Sequence, residues 1–160
     1  MSDNEPDNGA LQAFDALVGT WATTATHPEL DGAIAGTAIF EWLDGGLFLI
    51  QRTTFDHPQV PNAIIVIGAP EDGQGPAMQG LAMEYFDSRG VRRTYLTSLE
   101  NGVWRWWRDV PGFEQRFTAT LAPDAFDGHG ELARTPGEWR DDLSVSYRRI
   151  DTTDSDGSTS

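Results

Sequence analysis

The sequence contains no cysteine and no lysine among its 160 residues. Without cysteine the chain can form no disulfide, no thiolate zinc site and no thiol nucleophile. No apolar run approaches the roughly 20 residues that a membrane-spanning helix needs. Residues 1–10 are polar and acidic, unlike a secretory signal. We therefore expect a soluble, cytoplasmic protein.

Positive charge is also scarce, because 11 arginines face 25 acidic residues and the formal net charge is −14. Such a surface repels phosphate groups, which argues against a nucleic acid or an anionic membrane as partner. The composition is typical of a salt-adapted or of a high-GC source, and both readings stay open. The length fits a single domain, for which a homodimer is also left open.

Both ends of the chain, residues 1–9 and 151–160, consist mainly of Asp, Asn, Ser, Gly and Thr. Segments of this composition bury too little apolar surface to offset the entropy of ordering. We expect two disordered acidic tails that flank one domain at residues 10–150.

Within that domain the apolar spacing changes once. Leu11, Phe14 and Leu17 follow a helical period, which predicts a short helix at residues 10–17. From Gly19 onward the period is two, which indicates strands. Ten strands are predicted, at residues 20–26, 33–43, 47–55, 62–68, 80–86, 91–99, 103–108, 113–121, 128–134 and 139–149.

Short turns rich in glycine, such as Asn101-Gly102, join these strands as antiparallel neighbours. A sheet built in this way has two free edges unless it closes on itself. The fold class predicted is therefore all-β: a closed up-and-down antiparallel β-barrel of about ten strands with a short N-terminal helix.

The stretch LVGTW places the pattern Gly19-x-Trp21 where the helix meets the first strand. With the antiparallel run behind it, this resembles the calycin superfamily of lipocalins, fatty-acid-binding proteins and nitrobindins. The segments FEWLDGGLFL at residues 40–49 and YFDSRGVRRTY at residues 85–95 are similar to small uncharacterised bacterial members. The resemblance implies that Trp21 closes the base of the barrel and that Arg148 or Arg149 stacks on it.

Hairpin register sorts the strand residues onto two faces, because residues directly opposite one another share a side. We take Asn101-Gly102 as a two-residue turn and residues 87–90 as the turn before it, and we assign the more apolar face to the interior. This face carries the predicted ligand-binding residues Glu84, Arg93, Tyr95, Trp104, Trp106, Arg108, Gln115 and Phe117. One face of the first hairpin carries Phe40 and Gln51, and the other carries Glu41 and Arg52. Because each face also holds further apolar residues, the sequence leaves undecided which of them points inward.

Aromatic walls with a few polar groups are typical of a ligand pocket. Glu84 opposite Arg93 predicts one internal ion pair, which leaves Arg108 for Tyr95, for water or for an anionic ligand group. The predicted function is binding of a small apolar or aromatic molecule, with or without an anionic group, in the barrel cavity. A filled core with internal ion pairs, or a shifted register that places these charges outside, is the alternative.

Three other functions stay open. One is a barrel enzyme, a cyclase or isomerase in which the Glu84 carboxyl or the Tyr95 phenol moves a proton. Another, implied by the nitrobindins, is haem binding through a histidine late in the barrel. The last predicted strand has no histidine, so only His129 could serve, and we expect no cofactor. The third is a purely structural or interaction module.

Two further site patterns are incomplete. The resemblance to fatty-acid-binding proteins implies an Arg-x-Tyr carboxylate clamp on the last strand, but here Tyr147 follows Val145. The three histidines lack metal-ligand spacing. We therefore expect no metal site.

Overall fold

The structure, a computed structural model, describes residues 8–70 and 81–150. A short helix α1 (Asn8–Gln12) continues into a 3₁₀ helix (Ala13–Leu17). The strands that follow are β1 (Gly19–Thr26), β2 (Ile34–Trp42), β3 (Phe48–Phe55), β4 (Ala63–Gly68), β5 (Leu81–Asp87), β6 (Arg92–Glu100), β7 (Val103–Val110), β8 (Phe113–Thr120), β9 (Ala125–Ala133) and β10 (Arg140–Arg149). The predicted tails lie outside the described residues, except for Asn8 and Gly9, which begin α1.

Each strand pairs with its neighbours in the chain, and β1 pairs with β10, so the ten strands form a closed antiparallel barrel. The predicted fold class is thereby confirmed. The predicted strand ends lie close to the observed ones, with one larger difference at β9, which begins at Ala125 rather than at residue 128. β9 begins earlier than predicted because Phe126 is buried inside the barrel opposite Tyr147. The polar Asp127, which follows it, therefore lies within the strand.

The two ends of the barrel differ. The helical segment at residues 8–17 covers one end, which we call the helix end, and buries Phe14 and Leu17 against the core. The Trp42 indole also donates a hydrogen bond of 2.8 Å to the Asp15 carboxylate there. The opposite end, which we call the loop end, is formed by the loops at residues 27–33, 56–62, 88–91, 111–112 and 134–139.

Trp21 closes the helix end from inside, as the resemblance implied. It is almost fully buried, and the guanidinium carbon of Arg149 lies 4.2 Å from its ring centre. Arg149 rather than the exposed Arg148 is the stacking partner. Gly19 has a positive φ of 133°, and a Cβ there would meet the Arg149 guanidinium. The Gly-x-Trp pattern therefore provides both a plug and the space for the cation that covers it.

The structure resolves which face of the first hairpin points inward. Phe40 pairs with Gln51, and both side chains are buried inside the barrel. Glu41 and Arg52 lie on the outside and form an exposed ion pair of 3.5 Å. The interior is therefore mainly apolar on the β2–β3 side, with Gln51 and Thr53, which are hydrogen-bonded to each other, as polar exceptions.

Candidate functional site

The predicted register of the β5–β6 hairpin is wrong by one residue. Arg93 lies opposite Tyr85, and Glu84 lies opposite Thr94, whose hydroxyl donates to the Glu84 carboxylate at 2.9 Å on the outer face. The predicted interior position of Glu84, and its ion pair with Arg93, are therefore wrong. Glu84 and Tyr95 lie on opposite faces of the sheet, so only Tyr95 of the two residues considered for a barrel enzyme faces the interior.

The cause of this shift is Asp87, which remains in the strand instead of entering the turn. Its carboxylate accepts hydrogen bonds from the backbone N–H groups of Arg89 and Val91 and from the Tyr85 hydroxyl, the last at 2.7 Å. Burial acts to raise the pKa of the Asp87 carboxyl, but the hydrogen bonds from Arg89 and Tyr85 outweigh it and hold the pKa well below its usual range. The backbone N–H of Asp87 also donates to the Val91 carbonyl at 3.0 Å, and this bond closes a turn of three residues, 88–90, where four, 87–90, were predicted.

The other seven predicted site residues share the inner face of β6, β7 and β8. Trp104 lies opposite Leu99, and Trp106 opposite Thr97, in the register that the Asn101-Gly102 turn predicts. Tyr95, Trp104, Gln115 and Phe117 are buried, and Arg93, Trp106 and Arg108 are half-buried. Trp104 lies deeper, towards the helix end, where its indole donates to Thr97 at 3.0 Å.

Stacked and edge-on aromatic rings form a wall between the core and the loop end. Trp106 and Phe117 are parallel, with ring centres 4.9 Å apart. Tyr95 meets Trp106 edge-on at 4.7 Å. Gly128 leaves room for this arrangement, because a Cβ there would overlap the Phe117 ring. We call Tyr95, Trp106 and Phe117 the aromatic wall.

A chain of hydrogen bonds leads from this wall to the loop end. The Tyr95 hydroxyl donates to Gln115 at 2.7 Å, and the Gln115 amide donates to Asp142 at 3.4 Å. The other oxygen of Asp142 lies 3.1 Å from Nε2 of His27. Because Nδ1 of His27 accepts from the backbone N–H of Glu29, the neutral ring carries its proton on Nε2 and donates to Asp142.

Three arginines surround one phenylalanine at the loop end. The guanidinium carbons of Arg93, Arg108 and Arg134 lie 4.7, 5.9 and 5.8 Å from the ring centre of Phe113. Among residues 8–70 and 81–150, none of the three has a carboxylate oxygen within 4.0 Å. Nη1 of Arg108 is buried and has no hydrogen-bond partner there. We call these three side chains the arginine cluster.

The arginine cluster also affects the neighbouring phenol. Burial raises the pKa of Tyr95, while the nearby Arg93 and Arg108 act in the opposite direction and reduce the rise. The phenol is therefore neutral at physiological pH, and its proton is directed to Gln115. Tyr95 thus offers the site a hydrogen-bonded hydroxyl and an apolar ring.

His129 lies on the outer face of β9, where its side chain is 55% exposed. One ring nitrogen lies 3.0 Å from the Ser144 hydroxyl and the other 3.4 Å from Asp141. A haem held by His129 would therefore lie outside the barrel. The pairing of β9 with β10 also brings Glu131 close, so that ligand atoms of His129, Glu131 and Asp141 lie within 4.8 Å of one another. Glu131 already forms an ion pair of 2.7 Å with Arg116.

A cavity of about 650 Å³ lies at the helix end, apart from the arginine cluster. The 3₁₀ helix and the loops after β6 and β8 form its walls, and Trp21, Leu99 and Phe126 form its floor. Its ionisable side chains are Asp15, Asp124 and Arg149. Because Arg149 already stacks on Trp21 and donates to backbone carbonyl groups, the described residues that line this cavity offer no free cation.

No family model and no curated protein matches the chain. Solved structures do: fatty-acid-binding protein 1 of Echinococcus granulosus, at 12% identity, aligns over 86% of this chain and 99% of its own with a TM-score of 0.57. Rv2717c of M. tuberculosis, at 13% identity, aligns over 88% and 97% with a TM-score of 0.58. In the described residues, no helix is long and apolar enough to span a bilayer. At these identities the likeness concerns architecture alone, and it shows that the chain has a calycin-like β-barrel fold.

Proposed function

We propose that the loop end of the barrel binds a small organic anion, with its apolar or aromatic body against the aromatic wall and its charge at the arginine cluster. One observation carries this proposal: three arginines without a carboxylate partner in the described residues lie beside stacked aromatic rings. Fatty-acid-binding protein 1 of Echinococcus granulosus is named for a ligand of this general kind.

The charge distribution supports an anion. In a chain with a net charge of −14, a local cluster of three cations beside an apolar surface gives an anion a specific place to bind. The buried Nη1 of Arg108 lacks an acceptor, and an unpaired buried donor costs about 1–3 kcal/mol. An anionic oxygen of the ligand would remove this cost by forming a charge-assisted hydrogen bond.

The stacking of Arg93 over Phe113 supports the same site. A guanidinium that stacks on a ring keeps its N–H groups in its own plane, where they can donate to an oxyanion. The Phe113 ring thus holds the cation by its face, 4.7 Å from the ring centre, and leaves its edge for a ligand. Trp106 is half-buried next to the cluster, so a flat apolar body can contact its indole.

Titration of the protein with 1-naphthoate, followed by tryptophan fluorescence and calorimetry, tests the proposal. The variant Arg108→Leu should bind about tenfold more weakly, because it removes a buried charge-assisted contact. The matched control is Arg105→Leu, since Arg105 lies on the same strand but is exposed on the outer face. Both variants remove one positive charge. Equal losses in the two variants, or no saturable binding by a series of apolar acids, would refute the proposed site.

A further inference from the structure

The arginine cluster holds more positive charge than a single carboxylate can neutralise. We infer that the ligand carries a doubly charged tetrahedral oxyanion, such as a phosphate monoester, on an aromatic body. This inference rests on the proposed function and narrows it to one class of head group.

The charge of the arginine cluster favours a dianion. Arg93, Arg108 and Arg134 contribute three positive charges around Phe113. Asp142 of β10 faces the arginine cluster, and its two carboxylate oxygens already accept hydrogen bonds from Gln115 and His27. Even with Asp142 counted in full, two positive charges remain, and a dianion matches them more closely than a monoanion does. Arg134 is exposed, so its charge is open to solvent and to a ligand that enters from the loop end.

The directions from which the three arginines approach favour a tetrahedral head group over a planar one. Arg93 comes from β6, Arg108 from β7, and Arg134 from the loop after β9, so the three guanidinium groups reach the Phe113 ring from different parts of the barrel wall. A carboxylate presents two oxygens in one plane and is satisfied by a single guanidinium fork. A phosphate group presents three outer oxygens in three directions, which suits donors that converge from several sides.

The pH dependence of binding separates a tetrahedral dianion from a tetrahedral monoanion. A phosphate monoester loses its second proton near pH 6, whereas a sulfonate keeps one charge throughout. The titratable groups near the cluster are Tyr95, which stays neutral in this range, and Asp142 and His27 at the far end of the hydrogen-bond chain. A change in the protonation of these protein groups would shift the affinity of both ligands in the same direction, so the sulfonate, whose own charge stays constant, serves as the reference.

The experiment compares 1-naphthyl phosphate with 1-naphthalenesulfonate by calorimetry at about pH 5 and about pH 7.5. We expect the phosphate to bind about tenfold more tightly at the higher pH, and the sulfonate to change by less than about twofold. In the variant Arg134→Gln, most of this gain in phosphate affinity between the two pH values should be lost, and sulfonate binding should weaken by less than about threefold. The matched control Arg92→Gln removes an exposed arginine from the outer face of β6 and should leave the gain intact.

The outcomes distinguish the inference from the proposal on which it rests. If both ligands bind with similar affinity at both pH values, the dianion is refuted and binding of an organic anion still stands. If Arg92→Gln and Arg134→Gln reduce the gain equally, the preference reflects overall charge and the inference is also overturned. If neither ligand saturates the protein, the proposed function itself fails.

Discussion

At the scale of single residues, the phenols show how strongly the barrel interior favours neutral groups. The chain has three tyrosines, and burial raises the pKa of Tyr85, Tyr95 and Tyr147. For Tyr147 the rise is from 10.0 to about 12, and the neighbouring Gln51 opposes it by hydrogen bonding. In the folded state, therefore, no tyrosine should ionise at the pH where a free phenol does.

This predicts a pH-dependent loss of stability. Below pH 10 the folded and unfolded chains both hold the Tyr147 proton, so the contribution of this buried phenol to the free energy of unfolding has its full value. Above pH 10 the unfolded chain releases it first, so the free energy of unfolding falls as the pH rises through about 12. Spectrophotometric titration of tyrosinate should show little absorbance in the native protein near pH 10 and a normal transition in urea. A native transition near pH 10 would contradict the burial of these rings.

The site residues that could be predicted from the sequence follow regular strand alternation. Trp106, Arg108 and Gln115 lie on strands joined by short turns of standard length, so their common face could be inferred from register. Arg134 and His27 lie in loops, where alternation gives no information about direction. Their part in the site is visible only once the barrel has closed.

At the scale of secondary-structure elements, Arg149 joins the last strand to the N-terminal helical segment. Besides stacking on Trp21, its guanidinium donates to the backbone carbonyl groups of Val18, Ala16 and Pro123, at 2.8, 3.1 and 2.9 Å. One side chain thus connects the 3₁₀ helix, β1, β10 and the loop before β9. The closed helix end depends on this connection.

Replacement of Arg149 should therefore destabilise the whole barrel. The variant Arg149→Ala loses a cation–π contact and charge-assisted hydrogen bonds, and we expect the free energy of unfolding to fall by about 2–4 kcal/mol. Urea denaturation monitored by circular dichroism measures this change. Arg148→Ala is the matched control, because its side chain is exposed on the next residue of the same strand. Similar values for the two variants would show that Arg149 does not join these elements.

The elements that sequence reasoning placed wrongly are the irregular ones. The register of β5 and β6 depends on whether Asp87 caps the turn or belongs to it, and both choices fit the sequence DSRG. In β10, an irregularity between Asp141 and Ser144 interrupts the alternation, and Asp142 is thereby directed towards Gln115. A single inserted residue moves every later side chain of the strand to the opposite face of the sheet. The alternation of the sequence alone could therefore predict neither the β5–β6 register nor the direction of Asp142.

At the scale of the whole molecule, the closed barrel separates two chemically different ends. The helix end is closed by Trp21 and Arg149, and the lining of the cavity beside it, as far as the structure describes it, holds no free cation. The loop end holds the arginine cluster next to the aromatic wall. The architecture and most of the interior were predictable because an antiparallel run of ten strands, several of them joined by tight turns, has few other ways to pair its edges. The asymmetry of the ends depends on side chains from distant loops.

The position of a bound ligand is the most direct test of this account. The indole N–H signals of the six tryptophans, assigned with Trp→Phe variants, can be followed by two-dimensional NMR while 1-naphthyl phosphate is added. Because Trp106 lies in the aromatic wall and Trp21 lines the cavity at the helix end, each reports one end of the barrel. The account predicts a saturable shift of the Trp106 signal with little change at Trp21. A saturable shift at Trp21 with Trp106 unmoved would contradict it.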